Sequence, residues 1–144
     1  MSFPSLLKEL VTDAKREPLT LKQRETLYSS AYGMYQVGDY VQAADLFTLL
    51  TLNEPYELRF WKGLASCRQM QREYKAALHA WGIVCLLGGH SPISHFHAAE
   101  CYLSMGEIKE AAKALECAEF HLKSKKEPLS EKIEELKRIC HGAN

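Results

Sequence analysis

The chain has 144 residues, with 18 Lys and Arg set against 18 Asp and Glu, so its formal net charge is zero. That balance excludes a generic nucleic-acid binder, which needs a basic field. Its 47% hydrophobic and 25% charged residues exclude a disordered chain. A chain of this length buries ~70% of its unfolded surface and needs no metal or disulfide to hold a core, while zero charge leaves it prone to associate unless a partner covers its apolar surface.

Apolar periodicity and breaker residues predict eight helices. The first covers about 4–16 and carries an apolar stripe, Leu6, Leu7 and Leu10, that begins at Phe3. This stripe either makes a homodimer contact or caps the first repeat. Pro18 closes this arm. Six helices come next, at about 20–36, 40–52, 57–70, 74–87, 92–104 and 107–122. Pro128 precedes the last, at about 129–141. No stretch approaches the ~18–20 apolar residues of a membrane span, so stable membrane insertion is not expected. The first ten residues lack the charged and apolar blocks of a secretory signal. Five cysteines, an odd number with no C-x-x-C, suit a reducing compartment. Most fall at apolar helical positions, where Cys acts as a small hydrophobe rather than a reactive thiol.

The sequence repeats itself at an interval of 34. Gly38, Arg72 and Gly106 form one column, and Ala43, Ala77 and Ala111 another. Phe47, Trp81 and Leu115 form a third, and Leu50, Val84 and Ala118 a fourth. A 34-residue period with A-x-x-x-F spacing is the tetratricopeptide signature. The small residues let two antiparallel helices approach, and the large apolar residue one turn later fills the gap. Gly38 and Gly106 suit the tight turn within each pair. Arg72 breaks that pattern, so the second turn is expected to be less regular. The expected fold is all-α: a tetratricopeptide repeat solenoid in one domain, with three helix-turn-helix repeats at 24–57, 58–91 and 92–125. An N-terminal helical arm (1–23) and a C-terminal capping helix (126–144) flank them.

A helix-pair stack curves into a superhelix whose concave face is lined by the first helix of each pair. In the first repeat Tyr28, Tyr32 and Tyr35 share one helical face. The matching positions of the second repeat are Lys62, Ser66, Gln69 and Met70, and those of the third are Phe96, Glu100 and Leu103. The tyrosines either belong to the core or line a peptide groove. Three large aromatics beside the Leu27, Ala31 and Met34 stripe exceed what one such helix normally buries, which favours the groove. Tyrosine brings apolar area and a hydroxyl that can stay wet. Such a groove suits an extended apolar segment better than a terminal carboxylate.

No catalytic constellation stands out. There is no Walker or G-x-G-x-x-G pattern, no G-x-S-x-G, and no zinc spacing around His95 and His97, which point to different faces. No enzyme activity, metal or cofactor is expected.

The strings Leu27-Tyr28-Ser29, Phe60-x-x-Gly63-Leu64-Ala65-x-Cys67-Arg68-Gln69 and Phe96-His97-Ala98-Ala99-Glu100-Cys101 go beyond a generic repeat. On these the chain resembles the class II chaperones of bacterial type III secretion, the SycD/LcrH-like translocator chaperones, from about Leu21 to about Leu122. The resemblance implies a protein of the bacterial cytoplasm. It also implies a concave groove holding an extended segment of a secreted hydrophobic translocator or effector, with Tyr28, Tyr32 and Tyr35 forming part of the pockets. Two features depart from the family: the arm before the repeats is short, and Lys62 and Gln69 make mid-groove polar. The alternative is an adaptor that binds a folded secretion-apparatus subunit through its convex face or ends.

Overall fold

Local capping and turn chemistry cut the chain into helices at regular intervals. The computed structural model describes residues 18–142, and seven helices with no strand occur among them. The predicted first helix and its stripe, Phe3, Leu6, Leu7 and Leu10, lie outside the described residues. The helices are α1 (Leu21–Gln36), α2 (Tyr40–Asn53), α3 (Leu58–Met70), α4 (Tyr74–Gly88), α5 (Pro92–Ser104), α6 (Ile108–Phe120) and α7 (Pro128–Gly142). Every end falls within two residues of its sequence expectation.

Helix α1 starts in a capping box. The Thr20 hydroxyl accepts from the Gln23 N–H at 3.1 Å, and the Gln23 side chain accepts from the Thr20 N–H at 2.8 Å. These bonds satisfy two N–H groups that a helix start leaves open. Asp39 caps α2 through the Gln42 N–H at 3.2 Å. Pro92 and Pro128 each open a helix, where a missing N–H costs nothing.

The turns correct one expectation. Gly38 and Gly106 adopt φ of 85° and 77°, and Arg72 adopts 62°. The N–H groups of all three donate to the carbonyl three residues back, at 3.0–3.1 Å. Thus the turn after α3 shares the left-handed residue and its bond three residues back with the other two. The hydrogen bond holds an L-residue in the left-handed region, at a steric cost that glycine avoids.

The chain divides into two compact units, Met1–Arg72 and Glu73–Asn144. The division falls inside the second 34-residue repeat, between its two helices. In the first unit α1 packs on α2, and α3 packs on both. The core joins Ala31, Ala43, Ala44 and Leu46 to Phe47, Leu50, Phe60 and Cys67. In the second unit α5 packs on α4, α6 and α7, and α6 also packs on α7. Its core holds Phe96, Ala99, Ala111, Leu115 and Ala118, completed by Ile133 and Cys140 of α7. A Lys137–Glu119 ion pair at 2.8 Å joins α7 to α6 at the surface.

The repeat columns explain these cores. Ala43, Ala77 and Ala111 are fully buried, and Phe47, Trp81 and Leu115 nearly so. Alanine at the crossing lets the backbones close, and the larger side chain fills the space beside it. Gly63 carries this furthest. A Cβ placed there would stand 2.3–2.6 Å from the Phe47 ring, inside any van der Waals contact. Only glycine lets α3 sit this close to the aromatic of α2.

Cys67 and Cys101, one repeat apart, are fully buried, and burial pushes both thiols up to about 12. They are inert packing groups. Cys140 is buried as well, Cys85 is half-buried and Cys117 is exposed.

Candidate functional site

The first unit contains a pocket of about 160 Å³ lined by Tyr28, Tyr32, Tyr35, Phe47, Arg59, Lys62, Gly63 and Ser66. Drug-sized ligands need ~300–1,000 Å³, so this volume suits one or two side chains. Helix α1 supplies the tyrosines, α3 supplies Arg59 through Ser66, and Phe47 of α2 forms the floor.

The tyrosines differ in burial. Tyr32 is 50% exposed. Tyr28 and Tyr35 are half-buried and pack against the core. The Tyr28 ring centroid lies 6.1 Å from Phe47, 5.7 Å from Phe60 and 6.3 Å from Tyr32. Tyr35 meets Tyr40 edge-on at 5.3 Å, and burial pushes its phenol above the usual range. Tyr28 and Tyr35 therefore line the pocket and pack against the core at once, whereas Tyr32 is a surface aromatic.

Arg59, Phe47 and Gly63 line the pocket without having been expected there from the sequence. The Arg59 guanidinium sits 4.6 Å from the Tyr28 ring centre and 5.2 Å from that of Phe60, within cation–π range. Glu25 at 2.5 Å and Glu57 at 2.9 Å hold it in place. The Arg59 hydrogen bond lowers the Glu25 pKa, and Glu25 in turn raises that of Arg59. A second pair, Arg24 and Glu54, links α1 to the end of α2. Glu25 and Arg59 are 34 residues apart, so opposite charges at one repeat register were the available signal.

The remaining candidates do not gather at this pocket. Lys62 and Ser66 line it, but Gln69 and Met70 do not, and Met70 is 50% exposed. Phe96, Glu100 and Leu103 belong to the second unit. Phe96 is a correction: it is only 6% exposed and lies in that unit's core. Ala99 and Ala111, small residues in the same cluster, leave room for its ring. Leu103 packs against the same core. Glu100 bonds the His97 ring at 2.6 Å, and that ring stacks on Trp81 with centroids 4.7 Å apart.

Three histidines also gather, with no motif spacing to announce it. His90, His95 and His121 each bring a ring nitrogen to within 4.8 Å of the others. Burial, followed by repulsion from His90 and His121, pushes the pKa of His95 down.

The tetratricopeptide repeat family matches the chain at residues 25–54. Low calcium response locus protein H of Yersinia pestis is 35% identical over 127 residues, covering 88% of this chain and 76% of that protein. The chain belongs to the class II chaperones of type III secretion. The fold of this family agrees. The Yersinia enterocolitica type III secretion chaperone SycD, solved with a peptide of the translocator YopD, is 33% identical with a TM-score of 0.80. That match covers 85% of this chain and 95% of SycD. A further SycD structure is an alternative dimer. PcrH of Pseudomonas aeruginosa, in complex with the chaperone-binding region of PopD, matches at 28% identity and a TM-score of 0.69. It covers 87% of this chain and 90% of PcrH.

Proposed function

We propose that the chain is a non-enzymatic holding chaperone of the bacterial cytoplasm. It binds an extended apolar segment of a secreted translocator and keeps it soluble before export. The observation that carries this reading is the first unit's pocket: a half-exposed aromatic recess with a rigid floor and a polar rim. Family members that hold translocator segments, SycD with YopD and PcrH with PopD, support it.

The mechanism is sequestration. An apolar client side chain enters between Tyr28, Tyr32 and Tyr35 and rests on Phe47. The Arg59–Glu25 pair fixes the Tyr28 ring before the client arrives, which lowers the ordering cost of binding. Lys62 and Ser66 line the same recess and offer polar contacts to the client backbone. Gln69 and Met70 follow Lys62 and Ser66 in the first unit as further proposed client contacts; Glu100 and Leu103 hold the matching register within the second unit, where Phe96 serves as core. The three 34-residue repeats are the proposed organisation, with an N-terminal arm that dimerises or caps.

The test is co-expression with a hydrophobic translocator, followed by purification and mass measurement. A soluble 1:1 complex is expected. Tyr32→Ala should weaken it at least tenfold, as loss of an aromatic anchor does, with helicity unchanged. Capture of a folded secretion-apparatus subunit alone, unaffected by Tyr32→Ala, would establish the adaptor instead. Tyr35 is less suitable for this test, because its contact with Tyr40 ties it to stability.

A further inference from the structure

The second unit contains a cluster of three histidines, none of which lines the first unit's pocket. His90 lies in the short loop between α4 and α5, beside Gly89 at φ 67°. His95 occupies the first turn of α5, and its N–H reaches the Ser91 carbonyl at 3.4 Å. His121 caps α6, with its N–H on the Cys117 carbonyl at 3.2 Å. Two helix ends and one loop thus converge on a single point.

The three rings form a triangle. Their centroids lie 5.0, 5.4 and 5.6 Å apart, and their planes lie within 11° of one another, so the rings would have to turn about their side-chain bonds to aim three nitrogens at a tetrahedral metal. A column of three stacked rings would leave its outer pair far apart; these rings instead surround a common centre. His90 Nδ1 and His95 Nε2 stand 3.3 Å apart. That is long for a hydrogen bond between ring nitrogens. Two nitrogens each ~2.0–2.1 Å from a tetrahedral zinc are separated by ~3.4 Å, so this pair already spans one edge of a coordination tetrahedron. The nitrogen of His121, within 4.8 Å of the others, needs to move inward by at most ~1.5 Å to complete a face.

We infer that His90, His95 and His121 form a binding site for a divalent first-row transition metal of the zinc class. Imidazole is a preferred ligand for zinc, copper and nickel. Three protein nitrogens leave a fourth position for water or an incoming ligand, and His90 is exposed to solvent. The metal would fasten the α4–α5 loop to the start of α5 and the end of α6, locking the second unit. All three ligands lie in that unit, so the inference stands or falls independently of the client pocket.

The test uses the untagged full chain, stripped of metal and titrated with zinc chloride. One saturable site with a Kd of about 10 µM or tighter is expected. Cobalt(II) should give the strong visible absorption of a tetrahedral site. His90→Ala changes an exposed loop residue and should retain native helicity while losing at least tenfold in affinity. His121→Ala should lose as much. Zinc at 100-fold excess over Kd should raise the melting temperature by about 5–10 °C in the parent and not in the variants. The site is refuted if zinc shows no saturable binding below about 100 µM, or binds equally well in both variants.

Discussion

The two units give matching repeat positions different work. Tyr28 in the first and Phe96 in the second occupy the same register, 68 residues apart. Tyr28 stands half-open over a pocket, and Phe96 is closed into a core. In the second unit α7 adds Ile133 and Cys140 to that core; the first unit instead leaves Tyr32 half in solvent and sets the Arg59 guanidinium over Tyr28. A repeat therefore fixes the direction of a side chain, and the neighbouring helices decide whether that direction ends in packing or in a binding surface.

The strongest way to sharpen this contrast is to cut the same column in both units. Phe47 and Leu115 are each buried, at 1% and 0% exposure. Leu115→Ala should cost about 2–5 kcal/mol, and Phe47→Ala about 3–5 kcal/mol, in chemical denaturation. Only Phe47→Ala should also weaken the client complex beyond what its stability loss explains, because only Phe47 lines the pocket. Equal effects on client binding from the two variants would show that the units do not divide labour. Next in size is Gly63→Ala. The added methyl meets the Phe47 ring, which is itself packed, so a loss of about 1–3 kcal/mol is expected. Relief by Phe47→Leu in the double variant would assign that loss to the ring.

The helices and their buried columns were legible because burial of one face per helix imposes a period that 34-residue spacing repeats. What a column does not encode is depth. Phe96 reads as a groove aromatic by register, yet the alanines of α5 and α6 give it a core cavity. Arg59 was legible in principle, since Glu25 carries the opposite charge one repeat earlier. His90, His95 and His121 were not: 26 residues separate the last two, and they meet only because helix ends converge. The signal there is tertiary.

Tyr32→Ala comes next, with a loss of about 1.4 kcal/mol in client binding for each tenfold change in affinity. Its effect on unfolding should stay near the ~0.5 kcal/mol typical of surface positions. Tyr35→Ala should reverse that ranking, with a larger loss of stability than of specific binding. If both tyrosines behave alike, the distinction between surface and core-anchored aromatics fails.

The smallest effect should come from the turn that ends the first unit. Arg72 takes φ 62° where Gly38 takes 85° and Gly106 takes 77°. An L-residue in that region pays about 1–2 kcal/mol in steric strain, and glycine loses part of that advantage through its greater freedom when unfolded. Arg72→Gly should therefore stabilise the chain by about 0.5–1 kcal/mol, read as a higher denaturation midpoint with unchanged slope. The reciprocal change, Gly106→Arg in the second unit, should cost a similar amount. No neighbouring atom lies within 4 Å of a Cβ placed there, so the cost is mainly backbone strain. Opposite signs of comparable size would identify the left-handed turn as a shared element of both units. A loss at Arg72→Gly would instead mean that the arginine side chain makes contacts worth more than the strain it imposes.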